Sequence, residues 1–176
     1  MAKTARVQSV PWYNQVPGAN DARLEEVIKM PIRPLRQTDL DAVMRLWLAA
    51  NTEAHAFIPG SYWESHVSQV RQALLHAHVR VYEQGGQICG MIGLQQDYIA
   101  GLFVQREWRS HGIGRALLQA VKAGHQTLTL SVYRQNQGAV RFYRREGFDI
   151  VCMQPDSDTG ADAYHMAWRR PAPPSD

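Results

Sequence analysis

A mixed α/β domain, with a central sheet of about seven strands and four helices on its faces, is the fold class predicted for this chain. Three observations carry it. Short apolar runs bounded by turn residues read as strands, and longer runs with apolar residues at helical spacing read as helices, in the order βααβββαβαββ. One strand, a glycine-bearing loop and a helix follow each other directly from Leu102 to Gly124. The 176 residues, 45% of them hydrophobic and 20% charged, suit a single domain with a real core.

Residues 1–29 show no sustained period and carry Pro11, Pro17 and Gly18. They read as an irregular extension, which Trp12 and Tyr13 would pin to the surface. The domain spans 30–169, and the proline-rich 170–176 reads as a loose tail. Pro31 to Arg36 is expected as an edge strand, because proline is tolerated there. Thr38 is expected to cap the first helix, with Asp39 and Asp41 in its first turn and Leu40, Val43, Leu46 and Trp47 facing the core. After the loop 51–60, Ser61 and Glu64 form a capping box for a second helix reaching Ala77, with Val67, Val70 and Leu74 inward.

Strands follow at Val79–Glu83 and Gln87–Leu94, joined through Gly85 and Gly86. The next strand, Tyr98–Val104, leads into the central stretch. Arg115 to Ala123 is a strong helix former, stopped by Gly124. Thr127–Val132 is a strand, and Asn136–Glu146 a helix ended by Gly147. Phe148–Met153 and Tyr164–Trp168 close the sheet around an acidic loop.

The central stretch carries the first chemistry. Arg109-Ser110-His111-Gly112-Ile113-Gly114-Arg115 crosses from strand to helix. Glycines at such a turn let backbone N–H groups converge, and the helix N-terminus adds about half a positive charge. The result is an anion site suited to phosphate, flanked by Arg109 and Arg115. A dinucleotide fingerprint needs a third glycine where this chain has Leu117, and no P-loop lysine motif is present.

The net charge of +3 is too small to argue for nucleic acid as the main partner. No apolar run is long enough to span a membrane, and the N-terminus lacks a signal-peptide core. Cys89 and Cys152 read as reduced core residues of a cytoplasmic protein. His76 and His78 have no third ligand near them, so no metal site is expected.

Two segments together carry a resemblance. The first is Val104 with Arg109-x-x-Gly112-x-Gly114. The second is Asn136-x-x-Ala139-x-x-Phe142-Tyr143-x-x-x-Gly147-Phe148. In this order and spacing, over Met30 to Trp168, the chain resembles the GNAT family of N-acetyltransferases. It is most similar to small bacterial members assigned to protein lysine, whose first helix ends in a loop like His55-x-Phe57-Ile58 before Tyr62-Trp63.

The resemblance implies the GNAT fold, acetyl-coenzyme A as donor and an amine as acceptor. Backbone groups of Leu102, Phe103 and Val104 would bond the pantetheine arm, and those of Ser110 to Arg115 the pyrophosphate. Asn136 would bond the pantetheine or reach its thioester end, and Tyr143 would be the general acid. Residue chemistry agrees: a phenol of pKa ~10 is protonated at neutral pH and can serve a thiolate whose acid has a pKa of ~8.5. By residue type alone, Tyr143 also suits packing, as Phe142 does.

The chain departs from members that acetylate ribosomal-protein N-termini, which carry a glutamate base where Ser131 stands. Ser131 alone is no base. The candidates are Glu53, His55, Glu64 and His66, with His55 first, beside a water chain to solvent. Phe57, Tyr62 and Trp63 are candidates for an acceptor pocket. Arg141, Arg144 and Arg145 read as a solvated helix face. The acceptor is expected to be a protein lysine, with a small-molecule amine or a non-catalytic acetyl-coenzyme A-binding module as alternatives. Monomer and homodimer are both left open.

Overall fold

The computed structural model describes residues 31–172, so the expected extension over 1–29, with Trp12 and Tyr13, and the last four residues of the tail lie outside the described part. The strands are β1 (Ile32–Pro34), β2 (His78–Gln84), β3 (Gln87–Gln95), β4 (Tyr98–Val104), β5 (Thr127–Tyr133), β6 (Asp149–Pro155) and β7 (Asp162–Arg169). The helices are α1 (Leu40–Ala54), α2 (Gly60–Leu74), α3 (Ile113–Lys122) and α4 (Gln137–Arg145). The strands form one sheet in the order β1-β2-β3-β4-β5-β7-β6. Every pairing is antiparallel except β4 with β5.

The element order is the one expected, and the sheet buries a core on each face. On one side α1 and α2 bring Val43, Trp47 and Trp63 against Val81 and Met91. On the other, α3 and α4 bring Leu117, Leu118 and Tyr143 against Leu128, Leu130 and Met166. β3 is covered on both faces, so its sequence is a continuous apolar run rather than an alternating one. β5 alternates, with Leu128, Leu130 and Val132 inward and Thr129 and Ser131 outward. Gly90 on β3 lets α3 lie close: a Cβ there would stand 3.0 Å from both Ile113 Cγ2 and the Phe103 carbonyl oxygen.

Several expected helix starts move, for local reasons. Thr38 is not a cap. The chain enters α1 through a tight helical turn at Gln37–Asp39. There the Asp39 carboxylate accepts the Arg36 N–H at 2.7 Å and the Arg33 guanidinium at 2.6 Å. Glu83 of β2 holds the other side of Arg33 at 2.5 Å, which ties β1, β2 and the helix entry together. Ser61 is not a cap either, because α2 already begins at Gly60 behind Pro59, and it ends at Leu74 rather than Ala77. α3 starts at Ile113, ahead of Arg115, since left-handed Gly112 turns the chain into the helix. Cys89 is buried, but Cys152 is exposed, because β6 is an edge strand whose outer face nothing covers among the described residues.

Candidate active site

β4 and β5 part company soon after they meet. They pair only at Tyr98–Thr129 and Ile99–Leu130. Beyond that point each strand follows its other neighbour. β4 stays with β3 as far as Val104, and β5 stays with β7 as far as Tyr133. Among the described residues, the splay leaves the β5-facing edge of Leu102, Phe103 and Val104 without a partner strand and opens a cavity of about 480 Å³. Leu102, Phe103, Val104, Arg109, Asn136 and Tyr143 of the expected site all line it.

The rest of the expected site lies at the head of α3. Ser110 and Gly112 both adopt positive φ, 65° and 80°, so the intervening amides form a concave nest. For Ser110 this conformation costs about 1–2 kcal/mol. α3 has no side-chain cap and no acidic residue in its first turn. Its first amides are therefore left to an outside acceptor. The space where a Gly112 side chain would project is open, with nothing within 4 Å.

Arg109 does not do what was expected of it. Its guanidinium turns toward α1 and makes paired bonds to Glu53 at 3.0 and 2.9 Å, while its Nε donates to the Val104 carbonyl at 3.2 Å. Its charge is answered within the protein rather than offered to an anion. Arg115 keeps most of its side chain in solvent, with only a loose 3.8 Å approach to Glu146. The His111 Nδ1 sits 2.8 Å from the Arg109 carbonyl. Arg141 and Arg144 are exposed, as a solvated face requires.

Asn136 heads α4, and its Oδ1 accepts the Ala139 N–H at 3.1 Å. That bond decides the orientation of the amide, so the nitrogen faces His55 Nε2 at 3.2 Å. An amide nitrogen only donates, so Nε2 must be the acceptor and Nδ1 must carry the hydrogen. Among the described residues that Nδ1 is buried without a hydrogen-bond partner. Burial holds the His55 imidazole below its usual range, and the nearby Asn51 carbonyl works weakly the other way. His55 is neutral, but its lone pair is engaged. Its ring lies among Trp63, Tyr133 and Phe57, with centroids at 5.3, 5.1 and 5.8 Å.

The other base candidates fare worse. The Arg109 hydrogen bonds hold the Glu53 carboxyl below the usual carboxylate range, which weakens it as a proton acceptor. Glu64 is exposed, His66 bonds the Tyr62 carbonyl at 2.7 Å, and neither lines the cavity. Trp63 lines it, whereas Phe57 and Tyr62 border a separate groove with Asp158 and Thr159. Tyr143 is 7% exposed, and burial together with nearby Tyr98 pushes its phenol well above the usual range, so it stays protonated.

Three residues at or behind the cavity wall, Asp156, His165 and Gln154, were not foreseen. Asp156 lines the cavity; burial would raise its carboxyl, but hydrogen bonds from Thr159 and Asp158 outweigh this and hold it low. Ser131 lines the cavity with its Oγ 3.1 Å from His165 Nδ1 on β7. His165 Nε2 in turn lies 2.7 Å from the Gln154 amide. The Ser131–His165 and His165–Gln154 pairings cross strands, so no local spacing announces them, whereas the Asp156 bonds lie within its own loop.

Comparison with known proteins decides the family. The acetyltransferase (GNAT) domain pattern matches residues 50–170. The chain belongs to the GNAT family. Peptidyl-lysine N-acetyltransferase YiaC of Escherichia coli is 35% identical over 139 residues, covering 78% of this chain and 95% of that protein. The solution structure of apo YjaB from Escherichia coli superposes with a TM-score of 0.70 at 25% identity, over 78% of this chain and 95% of that one. The PaiA N-acetyltransferase of Thermoplasma acidophilum, solved with coenzyme A, shares the fold with a TM-score of 0.65 at 18% identity, over 79% and 98% of the two chains. This GNAT protein is an acetyl-coenzyme A-dependent N-acetyltransferase. Among the described residues no cluster of His, Cys, Asp and Glu is arranged to hold a metal, and no helix is long and apolar enough to cross a membrane.

Proposed function

We propose that the chain transfers the acetyl group to the side-chain amine of a protein lysine, by direct attack, with Tyr143 as proton donor to the departing sulfur. The observation that carries this reading is a shared cavity: the unpaired edge of β4 and the Tyr143 phenol line the same space. An extended pantetheine arm suits an open strand edge, where it bonds the backbone as an added strand would. The amides of Ser110, His111, Gly112, Ile113, Gly114 and Arg115 suit the pyrophosphate, because the head of α3 is uncapped and the space at Gly112 is free. Asn136 keeps one amide hydrogen for the ligand after capping α4 and serving His55.

Acetyl-coenzyme A supplies an activated acyl carbon and a thiolate leaving group. Tyr143 holds its proton throughout the working pH range and donates first a hydrogen bond and then the proton to sulfur. A cationic acceptor is supported by Asp156 on the cavity wall and by Asp158 in the separate groove that Tyr62 borders. Burial raises the Tyr62 phenol, and the carboxylates of Asp158 and Asp156 raise it further, so negative charge collects there. The relatives named peptidyl-lysine N-acetyltransferases point the same way.

The test is Tyr143→Phe, assayed on a blocked lysine peptide by thiol release. Turnover is expected to fall about 10²-fold or more, with coenzyme A affinity within a few-fold by titration calorimetry. Loss of coenzyme binding instead would assign Tyr143 to packing.

A further inference from the structure

The acceptor lysine reaches the cavity as an ammonium and must lose a proton before it can attack. Glu53, His55, Glu64 and His66 leave no free, basic lone pair at the cavity wall. Asp156 is held acidic by its own loop, which suits an anchor for the ammonium better than a proton acceptor. One other pair reaches the wall. Ser131 lines the cavity opposite the β4 edge, and behind it stands His165, its Cα partner on β7, with 3.1 Å between Oγ and Nδ1.

We propose that His165, working through the Ser131 hydroxyl, takes the proton that the acceptor ammonium gives up. This rests on the acetyltransferase reading above. The ammonium N–H breaks and Ser131 Oγ gains that hydrogen, while the hydroxyl hydrogen of Ser131 moves to His165 Nδ1. The imidazolium then releases it to water at its half-exposed edge. After the C–N bond forms, the nitrogen sheds a second proton. That proton balances the one Tyr143 gives to sulfur, so one proton leaves for solvent per acetyl group transferred.

The direction of the relay depends on Gln154. Its amide, 2.7 Å from Nε2, is exposed and can present its oxygen by a half-turn about its last bond. With the oxygen inward, Nε2 carries the hydrogen and the Nδ1 lone pair faces Ser131. The groups facing His165 are Ser131 and, two pairs along, Tyr133 on β5, and Cys152 and Gln154 on β6. Burial pushes the Tyr133 phenol up to about 12, so it stays neutral.

Two measurements test the relay. Nitrogen-15 NMR of the free protein reports the neutral tautomer of His165 without any substrate. The Nε2–H form is expected, and the Nδ1–H form would overturn the proposal. The second measurement is the pH profile of kcat/KM on the blocked lysine peptide. In the wild type the acidic limb should break where NMR sees His165 titrate. His165→Gln should lose that break and about 10²-fold in rate near neutrality, with coenzyme A affinity unchanged. Ser131→Ala should lose as much, and the double variant no more, as residues acting as a unit do. Gln154→Glu places a carboxylate on Nε2–H and should move the break up by about one pH unit. A break that survives in His165→Gln overturns the relay. A wild type that leaves the peptide unmodified overturns the lysine reading instead, and the tautomer still decides the relay.

Discussion

The two ends of the proposed site are built from different materials. The end proposed for the donor is backbone: an open strand edge at Leu102–Val104 on the cavity wall, together with uncapped amides at the head of α3 around Gly112. The end proposed for the acceptor is side chain: His55, Ser131 with His165, Asp156, and the aromatic rings around them. A backbone site tolerates almost any side chain except where glycine or an open edge is required. A side-chain site changes with each substitution. The contrast can be broken at either end.

The largest effect is expected at the donor end. Gly112→Val puts a branched side chain into the open space at the nest and forces it to φ 80°. The conformation alone costs about 1–2 kcal/mol, read as a drop in Tm. Losing two charge-assisted bonds to the pyrophosphate lowers coenzyme A affinity by about 10²-fold or more. Gly112→Ala carries similar backbone strain with less bulk. Affinity that recovers in Gly112→Ala assigns the loss to occupied space; equal loss in both assigns it to strain.

Asn136 lies where the two ends meet, and its removal is expected to be smaller in effect. Asn136→Ala loses the α4 cap, about 1 kcal/mol of stability, and strips His55 of its hydrogen-bond donor. Asn136→Asp separates the two roles. A carboxylate still accepts the Ala139 N–H, so Tm should hold, but it turns an acceptor toward His55 Nε2 where a donor stood. The His55 imidazole should then titrate at higher pH by NMR. An unchanged His55 would mean that the cap does not set its tautomer.

Legibility in the sequence follows the same division. The glycines of 109–115 and the Asn136 to Tyr143 spacing are local, because a backbone nest and a capped helix are built from neighbours in the chain. The alternation of β5 and the unbroken apolar run of β3 likewise state which faces are covered. Helix starts were harder to read. Thr38 and Ser61 look like caps, yet the Arg33–Asp39–Glu83 cluster and Pro59 set where the helices begin. Arg109 looks like an anion ligand until Glu53, 56 residues away, is placed against it. Ser131 and His165 are 34 residues apart and meet only through strand register. Cys152 follows the pattern of a core strand but lies on an edge.

The smallest effect belongs to the acceptor end and is read in pH. His55 is buried neutral, so its folded-state titration lies below the unfolded value of about 6.5. Between those two points the unfolded chain binds more protons than the folded one. Stability therefore rises with pH through this window and is lost as pH falls through about 6.5. His55→Phe keeps a ring among Trp63, Tyr133 and Phe57 but cannot titrate. It forfeits the Asn136 bond at every pH, so that loss is a constant offset. The Tm difference between wild type and variant should then shrink from about pH 7.5 to about pH 5.5, because acid removes an advantage that only the wild type has. Asp39, held low chiefly by the Arg33 hydrogen bond, loses its contribution only below about pH 4, outside the window. A Tm difference that stays flat across the window would show that His55 is as free to take a proton in the folded chain as in the unfolded one, and would return it to contention as a base.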